Sequence, residues 1–184
     1  MLRNEHSSLI LNRACDLALP DWWLTGGALF QTVWNVLDGR DPIQGIRDYD
    51  LFYFDPEDLS SEAERDAQDR AASLFADAAV PVEVHNEARV HLWYEQDFGV
   101  PAAPFRSTCD AIDHFVAPTC CFGVTADSDG ELKVYAPHGY DDLFHMRVRP
   151  NAVLAPPTAY EAKCSRWRQE WPSLTVEPWV ATES

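Results

Sequence analysis

Asp48-Tyr49-Asp50 sits in the run Arg47-Asp-Tyr-Asp-Leu-Phe-Tyr-Phe-Asp55, whose other residues favour a strand. Side chains two apart in a strand share a face, so the carboxylates lie roughly 6–7 Å apart along the chain. Two ionised acids this close repel, and a divalent cation between them removes the repulsion. The competing reading is a solvated strand mouth. Upstream, Trp22-Trp-Leu-Thr-Gly26-Gly27 leads into a helical pattern. A glycine pair at a helix start lets a phosphate approach free backbone N–H groups. It equally serves a tight turn that needs positive φ, and the two roles are compatible. Glu83, in Val82-Glu-Val84, is the candidate third acid if its strand pairs beside Asp48 and Asp50. Otherwise it is a surface acid or a partner of Arg89. Three such carboxylates suit Mg²⁺ or Mn²⁺, with one ion activating an acceptor hydroxyl and another holding a triphosphate for in-line displacement.

The elements that must position these groups follow from periodicity and punctuation. Residues 5–18 have helical apolar spacing and Pro20 stops them. Residues 22–25 read as a short extended segment. A helix over 28–37 places Leu29, Val33, Val36 and Leu37 on one side, and Asp38-Gly39 ends it. A loop covers 40–46 and a strand 48–54. Ser61-Glu-Ala-Glu64 has capping-box spacing for a helix reaching about Ala79. Strands are expected over 81–85 and again over 88–94, after a bend at Asn86. A helix is expected from Ser107 to Phe115. A hairpin turns at Ser128-Asp-Gly130 between strands 120–126 and 131–135. A short helix spans 139–145. A last one starts at the Thr158-Ala-Tyr-Glu161 box and ends before Pro172, leaving 173–184 as a tail. The order predicts an α+β fold, a small mixed sheet flanked by helices, in one domain. Its core covers about 20–120, and a C-terminal hairpin with a helical appendage covers about 120–172.

Composition narrows the partners. Of the 184 residues, 30 are acidic and only 14 basic, a formal charge of −16. Phosphate backbones need clustered Lys and Arg, so long nucleic acid is disfavoured and the acidity reads as a self-repelling, soluble surface. The five cysteines, Cys15, Cys109, Cys120, Cys121 and Cys164, match no zinc spacing. They predict reduced, mostly buried thiols and a cytoplasmic setting. No apolar stretch approaches membrane length. No P-loop and no Gly-x-Ser-x-Gly elbow occurs.

Further residues carry two readings each. Arg89, His91 and Trp93 alternate onto one strand face, to hold a nucleotide phosphate or acceptor, or to pair with neighbouring glutamates. His85 shares a face with Glu83, as a proton shuttle or a structural histidine. His138, His145, Asp141 and Asp142 form a loose second metal set or, more simply, a helix cap. Arg147, Arg149 and Asn151 are candidates for the cleft mouth. Trp167 and Trp171, at helical spacing, read as core.

Taken together, the chain resembles a family of small bacterial nucleotidyltransferase-like proteins. That family lies within the DNA polymerase β-type superfamily, and its core resembles the CCA-adding enzyme head domain. The resemblance rests on Thr25-Gly26-Gly27, the helix after it, Asp48-Tyr49-Asp50 and Glu83. It extends through Asn86-Glu-Ala-Arg-Val-His-Leu-Trp-Tyr94, Ala136-Pro-His-Gly-Tyr-Asp-Asp-Leu-Phe144 and Val148-Arg-Pro-Asn151. It covers roughly residues 20–170. It implies Asp48 and Asp50 as metal ligands, Glu83 as third ligand or base, and Gly26-Gly27 as the triphosphate contact. The implied reaction moves a nucleoside monophosphate from an NTP, ATP among them, to the hydroxyl of a small-molecule or protein acceptor. A catalytically silent module that binds nucleotide or a protein partner is the alternative, and a metal-dependent phosphodiesterase using the same acids is a third. The chain departs from the pattern in the 20 residues between Gly27 and Asp48, which implies a loop insertion at 38–47.

Overall fold

The computed structural model describes residues 3–78, 80–127 and 129–180. The expected helix end at Ala79, Ser128 of the hairpin turn and the last four tail positions lie outside them. Five strands, β1 (Trp23–Thr25), β2 (Tyr49–Tyr53), β3 (Val82–Asn86), β4 (Gly123–Ala126) and β5 (Leu132–Tyr135), form one sheet in the order β3-β2-β1-β4-β5. The β2–β3 pair is parallel and the others are antiparallel. The expected α+β architecture with a mixed sheet is therefore what forms.

Strand alternation decides how the sheet is used. Tyr49, Leu51 and Tyr53 of β2 are buried on one face, while Asp50 and Phe52 point to the other. The apolar face packs under α1 (Glu5–Arg13) and α3 (Ser61–Leu74) through Ile10, Leu11, Ala67 and Ala71. Asn4 fastens this side. Its side chain caps α1 at the Ser7 N–H, accepts the Tyr49 hydroxyl at 3.1 Å and donates to Thr32 at 2.8 Å. The opposite face of the sheet is left for chemistry.

Helix α2 (Gly27–Leu37) is buried nearly all round, which corrects the expected single stripe. Leu29 is fully buried, but Val33 and Val36 are half-buried and Leu37 is 46% exposed. The reason is that α2 serves two cores, and such a helix has no single apolar face. Ala28 and Leu29 join the sheet core, whereas Phe30 and Trp34 join a second core with Trp167 and Trp171. The latter four rings meet edge-on, with Trp34 centroids 5.8 Å from Trp167 and 5.5 Å from Trp171. The two C-terminal tryptophans are core, as their spacing suggests.

Further expectations change. Residues 88–94 are not a strand: Glu87–Leu92 is a 3₁₀ segment, followed by α4 (Tyr94–Phe98). Asn86 causes the break. Its side chain accepts the N–H groups of Ala88 and Asp55 and donates to the Asp55 carbonyl, so it competes with the strand ladder. Helix α5 is the short Thr108–Ile112, capped by Ser107 as expected, and α6 is Asp141–Phe144. The last helix, α7 (Pro157–Glu170), starts on Pro156-Pro157 and not on a Thr158 capping box. The segment expected to be a tail is also tied down. Thr175–Val176 (β7) pairs parallel with Arg147–Val148 (β6), and the Tyr160 hydroxyl donates to the Glu177 carbonyl at 2.6 Å.

The long connection between α2 and β2 is anchored at both ends. The Asn35 amide donates to the carbonyls of Pro42 and Gln44, while Arg40 pairs with Glu170 of α7. Among the described residues no helix is long and apolar enough to cross a membrane.

Candidate active site

The parallel pairing of β2 and β3 sets Asp50 opposite Glu83 and Phe52 opposite His85. Asp50, Glu83 and His85 each present a ligand atom within 4.8 Å of the other two, and His85 Nε2 is 3.7 Å from Glu83 Oε2. This is the set of three metal-ligating side chains that comes together among the described residues. Asp48 precedes β2 and reaches the same cleft without joining that mutual contact. His85 thus enters the cluster in company with Glu83, on the shared face that strand parity predicts.

The glycines bring the α2 N-terminus against this cluster. Gly26 has φ +67° and ψ −152°, a conformation only glycine holds comfortably. A Cβ there would lie 2.0 Å from Asp50 Oδ2. The missing side chain therefore makes room for the carboxylate. No side chain caps α2, so its first N–H groups remain available to an anion. At Gly27 a Cβ would meet only the flexible amide end of Gln31, at 2.6 Å. Thr25, fully buried, donates its hydroxyl to the Phe122 carbonyl at 2.6 Å and fixes β1 to β4 at the edge of the site.

Burial raises the pKa of Asp50 to about 6; the nearby Asp48 charge adds to the rise, and Glu83 adds less. His85 and Lys163 oppose it. Glu87 is perturbed further. Burial, with a smaller push from Asp50, raises it to about 8. Its residue is only 6% exposed and lines the cleft, and its carboxyl has no hydrogen-bond or ion-pair partner among the described residues. Sequence reasoning did not single out Glu87. Strand parity gave no signal for it, because β3 ends at Asn86 and Glu87 opens the 3₁₀ segment.

The cleft measures about 450 Å³, within the range of small-molecule sites. Gly26, Gly27, Asp48, Asp50 and His85 form part of its lining. Trp93, Tyr94, Phe98 and Phe105 contribute an aromatic wall, and Lys163 and Arg166 reach it from α7. Tyr94 and Phe98 meet at a 34° tilt with centroids 4.5 Å apart.

Other sequence candidates go elsewhere. Arg89 forms an ion pair with Glu64 and donates to the Leu59 carbonyl, and neither it nor His91 lines the cleft. The common face expected for Arg89, His91 and Trp93 is lost with the strand, and Trp93 alone reaches the cleft. The second acidic set is structural. Asp142 binds Arg147 and Arg149, each at 2.6 Å, and Asp141 binds Arg147 and His145. Asn151 donates to the carbonyls of Asp113 and Phe115. Cys120 lies in a 3₁₀ turn with Cys121 after it, both buried; all five cysteines are free thiols.

A mixed sheet with Asp48 leading into the strand that carries Asp50, an acid beside Asp50 on a parallel strand and a glycine-led helix start at the same site is the arrangement of a nucleotidyltransferase fold. The family signature described as "Nucleotidyltransferase" matches residues 12–176, and the chain belongs to that family. The fold is similar to a solved structure described as "The NMR structure of the protein reveals a CCA-adding enzyme head domain". The TM-score is 0.74 at 24% identity, covering 92% of this chain and 88% of that one. No curated protein matches the sequence significantly.

Proposed function

We propose that this protein transfers a nucleoside monophosphate from an NTP to an acceptor hydroxyl. The bond from the α-phosphorus to the bridging oxygen breaks, a bond to the acceptor oxygen forms, and pyrophosphate leaves with the hydroxyl proton passing to a base. The observation that carries this reading is the Asp50–Glu83–His85 cluster packed against Gly26 at the uncapped start of α2.

The donor set fits a divalent cation. Two carboxylates and an imidazole converge with no lysine or arginine in ion-pair contact among the described residues, and the carboxylate oxygens suit Mg²⁺ or Mn²⁺. Asp50, Glu83 and His85 would hold it, with Asp48 at the cleft as a further carboxylate. A bound divalent cation supplies charge neutralisation at phosphoryl oxygens and acidifies a hydroxyl. The chain's own groups do the remaining work. The free N–H groups after Gly26 receive phosphate oxygens. The wall of Trp93, Tyr94, Phe98 and Phe105 stacks a flat ring and excludes water. Glu83, exposed and beside His85 with no lysine or arginine partner among the described residues, would take the acceptor proton. The net charge of −16 favours a small molecule or a protein over a long nucleic acid as acceptor.

Isothermal titration of NTPs into the wild type and an Asp48→Asn/Asp50→Asn variant, with and without Mg²⁺ or Mn²⁺, tests the proposal. Cation-dependent binding that disappears in the variant is expected. A folded wild type that binds no NTP would sink the mechanism and leave a silent module as the surviving reading.

A further inference from the structure

The distribution of cations in this acidic chain is uneven. With 30 acidic residues against 14 basic ones, a lysine or arginine readily finds a carboxylate. Most do. Arg13, Arg40, Arg65, Arg89, Arg106, Lys133, Arg147 and Arg149 are in ion pairs, and Arg70 and Arg168 donate to backbone carbonyls. Among the described residues, Arg3, Arg47, Lys163 and Arg166 have neither kind of partner. Three of those four line the candidate cleft or the hollow that opens beside it. Lys163 and Arg166 belong to the main cleft, and Arg166 continues into the hollow with Arg47 and Asp48.

Lys163 and Arg166 stand three residues apart on α7, so they project from one side of the helix. They are held there by the buried neighbours Cys164 and Trp167, which anchor the adjacent side of the helix in the second core. Both cations share the cleft with Asp48 and Asp50, yet no carboxylate lies within ion-pair distance of either among the described residues. Charges of opposite sign therefore line one cavity without neutralising each other. A polyanion carrying its own divalent cation satisfies both sets at once: the cation faces the carboxylates, and the phosphate oxygens face the ammonium and guanidinium groups.

We propose that Lys163 and Arg166, assisted by Arg47, form the seat for the β- and γ-phosphates of the substrate, a role that rests on the nucleotidyl-transfer reading above. These groups then bind the part of the NTP that departs as pyrophosphate. Negative charge builds on that part as the α-phosphorus–oxygen bond breaks, so the same cations stabilise the transition state. The α2 N-terminus is the other phosphate contact, and the two lie in the same cleft.

The test compares three probes, ATP, AMP and inorganic tripolyphosphate, by titration calorimetry with Mn²⁺ present. The proteins are the wild type, a Lys163→Met/Arg166→Met double variant and the Lys163→Arg/Arg166→Lys exchange. Both positions are on the exposed side of α7, and thermal unfolding verifies that each variant folds. The double variant is expected to weaken ATP and tripolyphosphate by about 10–100-fold while AMP binding stays within twofold, and the charge-conserving exchange restores most of the loss. Wild-type levels of ATP and tripolyphosphate binding in the double variant would overturn the seat while leaving nucleotidyl transfer intact. Equal weakening of AMP would also overturn it, because the cations would then act away from the terminal phosphates. A wild type that binds tripolyphosphate, loses it in the double variant and ignores every NTP would defeat the transfer reaction and, with it, the seat's assignment to an NTP.

Discussion

Replacing Glu87 with glutamine should stabilise the protein, and the gain should grow with pH. Glu87 is 6% exposed and without a partner among the described residues, and burial raises its pKa from 4.5 to about 8. In the unfolded chain this carboxyl ionises near its ordinary value. Between these two points the folded state holds a proton that the unfolded state has released, so folding weakens as pH rises. The loss begins near pH 4.5 and levels off above pH 8. Each pH unit inside that window is worth about 1.4 kcal/mol, so the cost from pH 5 to pH 8 is about 3–4 kcal/mol. Glutamine keeps the shape and removes the titration. Urea unfolding of wild type and Glu87→Gln in EDTA, at intervals from pH 5 to pH 9, should give nearly equal stabilities at pH 5 and a gap of about 3–4 kcal/mol at pH 8. Asp50 also has a raised pKa; its own burial is common to both proteins, so only its smaller coupling to Glu87 enters the difference. Adding Asp50→Asn to both proteins should lower the folded-state pKa of Glu87, so the gap still opens near pH 4.5 but levels off at a more acid pH and is smaller; it persists because burial is the larger cause. A gap independent of pH, or one that widens toward acid, would refute the reasoning by showing that Glu87 is ionised in the fold.

Two other changes probe the framework of the site. Gly26→Ala forces an L residue into a glycine-only conformation and drives its Cβ against Asp50, so it should cost about 1–3 kcal/mol in urea unfolding and abolish Mn²⁺ binding. Gly27→Ala displaces only the Gln31 amide and should leave stability within about 1 kcal/mol, which makes it the matched control. Asn4→Ala removes a helix cap and strands the buried Tyr49 hydroxyl; a loss of about 2–4 kcal/mol by chemical denaturation is expected.

The acids of the cleft also bear on how it would respond to cations. Asp48 raises the proton affinity of Asp50, and Asp50 raises that of Glu87, so charge repulsion runs along the sheet edge into the cleft. A divalent cation at Asp50 and Glu83 would relieve this repulsion. Cation binding should accordingly release protons near neutral pH and raise the unfolding temperature.

What the sequence determined by itself is local. Alternation in residues 48–54 put Tyr49, Leu51 and Tyr53 into the core and left Asp50 on the free face, before any partner strand was known. The same parity placed Glu83 and His85 together. The glycine pair marked the start of α2, and the spacing of Trp167 and Trp171 marked a buried helix face. Other features depended on neighbours far along the chain. The β2–β3 register brings Glu83 beside Asp50 across more than 30 residues, and pairing at that distance is set by the packing of whole elements. Arg89 left the expected phosphate site because α3 offers Glu64, and residues 88–94 turned away from the sheet because the Asn86 side chain found Asp55. Glu87 acquired its raised pKa from burial, which residue type alone does not carry. Lys163 and Arg166 became free cleft cations only because α7 folds back over α2, with Trp167 packed on Phe30 and Trp34, and brings them to acids more than 100 positions earlier in the chain. Residue periodicity fixes which way a side chain points, whereas the solvent and charges it meets are properties of the assembled fold.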